Sequence, residues 1–168
     1  MQEKIFDFFA SFGLPPKILI LLLGALPVTE LRASIPIGIL VLKQTVKAVF
    51  FFSVLGNILP IAPIYFLLNP VSKKLSNTRF MRRFFEWLFK RAKAHAGIVE
   101  KYEAIGLMLF VAVPLPGTGA WTGAIIASLL RMRFIPAFIA VSAGVIIAAV
   151  IVTALTLLGR KIGTATIF

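Results

Sequence analysis

The sequence predicts an all-α integral membrane protein, built as an inverted repeat of two re-entrant helical hairpins and two transmembrane helices, with an interfacial amphipathic helix between the repeats. Three observations predict it. Sixty per cent of the 168 residues are hydrophobic and only 14% are charged, at a mean hydropathy of +0.99, whereas soluble domains carry about 25% charge. Four long apolar stretches run from Lys17 to Leu42, Ala48 to Leu68, Ala104 to Leu130 and Phe134 to Leu158. The first member of each pair is interrupted by proline or charge at its centre, and the second is a more conventional span.

The interruptions are LPVTELRASIP, Leu26 to Pro36, and VPLPGTGAWTG, Val113 to Gly123. Proline and glycine break helical hydrogen bonding, and broken backbone at membrane depth is tolerated only where protein or a water-filled cavity surrounds it. Each interrupted stretch is either one kinked span or a hairpin entering and leaving on the same side. Arms of about ten residues reach about 15 Å, half the hydrocarbon thickness, so Lys17 to Leu26 and Leu31 to Leu42 put their turn near the midplane. Positive-inside counting favours four plain spans and the broken centres favour hairpins; we expect hairpins. Each pair then crosses the membrane once and the second pair starts on the opposite side, a recurrent transporter design. The expected organisation is a single membrane domain: repeat one over 17–68, a cytoplasmic amphipathic segment over 69–102, repeat two over 104–158. ALP at Ala25 to Pro27 echoes AVP at Ala112 to Pro114, as Gly56 echoes Gly144.

The segment from Asn69 to Tyr102 holds nine Lys or Arg against two Glu, which assigns it to the cytoplasm. Phe80, Met81, Phe84, Phe85, Trp87 and Leu88 share one helical face opposite Arg79, Arg82, Arg83 and Lys90. Such a helix lies in the headgroup layer, either as an anchor or as a recruiter of anionic lipid. In this setting the net charge of +12 reads as topology and lipid contact, with no nucleic-acid partner expected. The chain has no cysteine and one histidine, His95, so neither a disulfide, a metal site nor any other cofactor is expected. The start, MQEKIFDFFA, lacks a basic region and cleavage site, so no cleavable signal peptide is expected.

Glu30 and Arg32 are the focus of the functional reading. An ionised side chain at membrane depth costs about 2.5 to 3.5 kcal/mol even on the mildest scale, and is by default functional. Arg32 offers a fixed cation suited to bidentate capture of phosphate or carboxylate. Glu30 is its titratable partner, able to exchange a proton during transport. The alternative is a structural ion pair that satisfies broken backbone. In the second interruption Pro114, Pro116, Gly117 and Gly119 enforce a tight turn, Thr118 and Thr122 offer hydroxyls, and the following helix aims its N-terminus at the loop, favouring an anion. This loop either faces the first across one cavity or serves close packing alone. Trp121 either closes the cavity or packs. Asn57 interrupts the second stretch with Pro60 and Pro63, either lining a cavity or making a helix–helix hydrogen bond. Small-residue faces (Ala140, Gly144, Ala148; Ala120, Ala124, Ser128) and the small size fit a homodimer.

ELRASIPIG in the first half and FVAVPLPGTGAWTGA in the second resemble the bacterial and archaeal family called putative small multidrug export proteins, related more distantly to the DedA and VTT membrane proteins. The resemblance extends over nearly the whole chain. It implies a prokaryotic cell (inner) membrane protein with several passes and two facing re-entrant hairpins, and, from the DedA relatives, proton-motive-force-dependent translocation of lipids such as undecaprenyl phosphate. By position it picks out Glu30 and Arg32, then Pro114, Pro116, Gly117, Thr118, Gly119 and Trp121. One departure is that DedA members usually carry arginines around the second hairpin, which here is uncharged until Arg131 and Arg133. The expected function is a small secondary transporter or flippase for an amphipathic, anionic, lipid-like substrate, with a proton or other cation as coupling ion and membrane lipids as its surroundings. Export of amphipathic drugs and a non-transporting scaffold are the alternatives. No nucleophile, base and metal constellation can be assembled, so an enzyme is not expected.

Overall fold

The computed structural model describes residues 13–66, 104–115 and 117–165; the predicted amphipathic segment and His95 lie outside them. The described residues are mostly helical and contain no strand. They comprise α1 (Pro16–Ala25), α2 (Glu30–Pro36, continued by a π-turn over Ile37–Val41), α3 (Val46–Ile58, followed after a two-residue turn by a short helical stretch over 61–66), α4 (104–112), α5 (Ala120–Leu129) and α6 (Phe134–Ala165). The chain divides into two compact units, Met1–Leu59 with Ile146–Phe168, and Pro60–Val145.

In the first unit α1 opens on Pro16, whose missing N–H is no loss in a first turn, and the carbonyl of Pro15 accepts from the amides of Ile18 and Leu19 at 2.9 and 3.2 Å. Pro27 then stops the helix, and a four-residue turn leads to α2. Pro36 lies inside α2, where its ring removes a ladder donor. The backbone answers by widening into the π-turn, closed by the Leu42 amide on the Ile37 carbonyl at 2.9 Å, a motif often found at functional sites. The two arms fold back on each other: a Cβ placed on Gly38 would sit 3.2 Å from Ile20 Cδ1 and 2.7 Å from Val49 Cγ1, so α1, α2 and α3 meet there. Helices α1 and α3 approach closely enough that a Cβ on Gly56 would collide with the carbonyl of Leu21, and one on Gly24 would lie 2.8 Å from that of Ser53. Between helices in lipid, where burial gives little drive, such close backbone contact supplies the packing energy.

The second unit repeats the device. A Cβ on Gly144 of α6 would lie 2.7 Å from the carbonyl of Met108 in α4, and one on Gly123 of α5 would lie 2.6 Å from Val111. Near Tyr65, whose hydroxyl donates to the Met132 carbonyl, Phe66 and Phe134 pack with ring centroids 4.6 Å apart. Ser128 closes the same corner by donating to the Tyr65 carbonyl at 3.2 Å.

Among the described residues, two stretches are long and apolar enough to cross a membrane, Val46–Phe66 and Phe134–Ile162; at 1.5 Å per residue the 21 residues of the first reach about 31 Å, close to the hydrocarbon thickness. Ile135, Ile139, Val150, Leu155, Leu158 and Ile162 are all more than half exposed along α6.

The same backbone events recur 87 or 88 residues apart. Leu42, ending the π-turn, has φ −78° and ψ −4°; Leu130, ending α5, has φ −80° and ψ 2°. Each is followed by a basic residue in the left-handed region, Lys43 at φ 49° and Arg131 at φ 52°. After α5 the amides of Arg131 and Met132 return to the carbonyls of Ser128 and Ala127, at 3.2 and 3.0 Å, the Schellman closure of a helix end. The glycine contacts follow the same offset: Gly56 on Leu21, Gly144 on Met108.

Candidate functional site

Glu30 opens α2 at a cost. Its φ of 46° is left-handed, a region non-glycine residues enter rarely, and such strain concentrates at working positions. Its amide donates to the Leu26 carbonyl at 3.0 Å, and the hydroxyl of Thr29 before it donates to the Leu23 carbonyl. The Glu30 side chain is 6% exposed and that of Arg32 24%, with Arg32 Nη2 3.7 Å from Glu30 Oε2. That separation is longer than the 2.7–2.9 Å of a tight charge-assisted hydrogen bond. The arrangement is a buried carboxylate beside a guanidinium that still reaches the surface of the chain.

Below this pair α2 and α3 run antiparallel in a readable register. Gly38 lies on Val49, and one turn on, Ser34 Oγ donates to Ser53 Oγ at 2.8 Å, with both residues fully buried. A further turn in each direction leads to Glu30 and Asn57. Asn57 is 1% exposed, and neither its Nδ2 nor its Oδ1 has a hydrogen-bond partner. The expected helix–helix hydrogen bond is not made. A buried amide left this way costs about 1–3 kcal/mol per unsatisfied group.

The second interruption is built differently. Gly117 takes φ 103°, open to glycine and strained for other residues. The Thr118 hydroxyl donates to the carbonyls of Val113 and Leu115 and accepts from the Leu115 amide at 3.2 Å. The Leu115 amide also reaches the Val113 carbonyl at 2.8 Å, and the Thr118 amide the Leu115 carbonyl at 3.1 Å. Gly117, Thr118 and Gly119 are buried, Pro114 and Trp121 half-buried; Pro116 lies outside the described residues. Gly119 precedes α5 in extended conformation, with no side chain capping the helix.

Of the residues singled out from sequence, Glu30, Arg32 and Asn57 thus belong to the first unit, and Pro114, Gly117, Thr118, Gly119 and Trp121 to a single loop and helix start in the second. Sequence reading missed Ser34, Ser53 and Thr29. ELRAS carries a serine four residues after Glu30 and the third helix one four before Asn57, a spacing that places each on the face of its neighbour.

Comparison with known proteins gives a family match, to proteins described as "Putative small multi-drug export protein", over residues 30–151. The chain belongs to this family. The match begins at Glu30, inside the first interruption, and takes in the whole of the second. Membership and the two long apolar helices together point to a membrane protein, and the family's description to small multi-drug export. No curated protein and no solved structure matches the chain.

Proposed function

We propose that the protein is a small proton-coupled transporter or flippase, moving an amphipathic anionic molecule across the membrane of a prokaryotic cell. The single observation that supports this most is the Glu30 and Arg32 pair: a carboxylate withdrawn from solvent at a strained helix start, its oxygen 3.7 Å from a partly exposed guanidinium. Arg32 is the headgroup clamp, a planar fork matched to phosphate or carboxylate. Glu30 is the proton carrier, whose charge decides whether Arg32 is engaged or open.

The recurrence of close helix approaches and left-handed helix ends 87 or 88 residues apart supports an internal repeat. In the membrane each interrupted stretch is a re-entrant hairpin and each long helix a span, so the two repeats have opposite orientation. The lipid phosphate as substrate is taken from the more distant resemblance to DedA and VTT proteins alone. With the protein reconstituted in vesicles, a pH gradient is expected to drive movement of a polyprenyl phosphate, and Glu30→Gln to abolish it. Unchanged movement in that variant removes Glu30 as the carrier.

The family description favours a second reading, export of amphipathic drugs. Cationic drugs need an anionic cavity, and one Glu beside one Arg supplies little net negative charge. Susceptibility of cells with and without the gene to a panel of cationic and anionic amphiphiles separates the two.

A further inference from the structure

The third rung of the α2 and α3 ladder is unfilled. Gly38 meets Val49 and Ser34 meets Ser53; the same four-residue steps carried one turn on lead to Glu30 on one helix and to Asn57 on the other, whose amide nitrogen and oxygen both lack partners although the residue is 1% exposed. Val49, Ser53 and Asn57 are all buried on one face of α3, as Glu30, Ser34 and Gly38 are on α2, so the face continues through this level.

We infer that Asn57 is the second docking station of the Glu30 carboxyl, occupied when Glu30 carries a proton. A primary amide and a protonated carboxyl form a ring of two hydrogen bonds: the acid O–H donates to Asn57 Oδ1 and Asn57 Nδ2 donates to the acid's carbonyl oxygen. Those are the two orphaned atoms. One proton from the bulk adds to the carboxylate, the Glu30–Arg32 ion pair opens as the two hydrogen bonds to Asn57 form, and no covalent bond other than the new O–H is made or broken. The Arg32 guanidinium, no longer neutralised by the carboxylate, then attracts an anionic headgroup, so proton and anion load together.

Among the described residues, the other charged groups of the first unit lie toward the helix ends. Lys47 begins α3, ten residues or about 15 Å from Asn57. Lys17 begins α1 beyond Ile20, which is level with Gly38, two turns from Glu30. Lys43 is exposed beyond the end of the π-turn, and Arg160 and Lys161 are exposed near the end of α6.

This assignment rests on Glu30 as proton carrier, and its test is spectroscopic so that it stands apart from transport. Acid-minus-neutral infrared difference spectra of the full chain in lipid nanodiscs are expected to show a protonated-carboxyl band that Glu30→Gln removes. Asn57→Leu should shift that band to the higher frequency of a less hydrogen-bonded acid, with Asn57→Ser giving the same shift should the leucine variant not fold. A Glu30 band indifferent to both substitutions, or no Glu30 band at all, overturns the proposal. Parallel vesicle assays separate the two claims: lost transport in Glu30→Gln with an indifferent band defeats the docking station alone, and unchanged transport with a shifted band defeats the carrier alone.

Discussion

The two helix interruptions solve one problem in opposite ways. Each stops a helix within an apolar stretch, and each must satisfy the carbonyls it frees. The second does so with its own backbone and one hydroxyl, Thr118, which engages Val113 and Leu115. The first has the Thr29 hydroxyl on the Leu23 carbonyl, a buried carboxylate at a left-handed φ with a guanidinium 3.7 Å away, and on the facing helix the Asn57 amide, whose two polar atoms have no partner. Polar groups consumed by a turn explain the turn. A buried ion pair with an unsatisfied buried amide on the facing helix, at about 1–3 kcal/mol per unsatisfied group, is why we propose the chemistry for the first interruption.

The sharpest way to break this contrast is Arg32→Ala. It leaves the Glu30 carboxylate buried without its ion partner, for which we expect a loss of about 3 kcal/mol, the lower end of the range for split buried pairs since Arg32 is partly exposed. Unfolding of the purified protein in detergent measures it, and adding Glu30→Gln should restore most of the loss. Next come the paired glycine contacts. Gly56→Ala and Gly144→Ala force a methyl against the carbonyls of Leu21 and Met108, and each should cost about 1–3 kcal/mol. Similar costs sharpen the likeness of the two halves; a large cost at one and none at the other breaks it. Thr118→Val removes the latch of the second loop and should cost about 1–2 kcal/mol while leaving proton-driven transport measurable. Smallest is Asn57→Leu, which removes an unsatisfied buried amide and should leave stability at neutral pH unchanged or raise it by about 1 kcal/mol. A large loss there would mean the amide is a structural element.

Much of the helical layout was legible from hydropathy and helix breakers. The arms expected at Lys17 to Leu26 and Leu31 to Leu42 fall at Pro16–Ala25 and Glu30–Val41, because Pro27 and the apolar periodicity on either side leave few other boundaries. Glu30 and Arg32 were legible because charge is rare in such a run. What the chain did not announce is what depends on register between helices. Ser34 and Ser53 are nineteen residues apart, and nothing local predicts that they meet, or that Glu30 and Asn57 fall one turn on. The π-turn after Pro36 and the left-handed Glu30 are likewise backbone responses to packing, since composition permits a plain kink in their place. In the second loop the prolines and glycines foretold a turn, but the role of Thr118 as its latch follows from geometry alone.

The central claim, that the working chemistry belongs to the first interruption, is tested most directly by pH-gradient-driven movement of a polyprenyl phosphate in vesicles holding the wild type, Glu30→Gln or Thr118→Val. The account predicts that movement is lost in Glu30→Gln and retained in Thr118→Val. Retention in the first with loss in the second would contradict it.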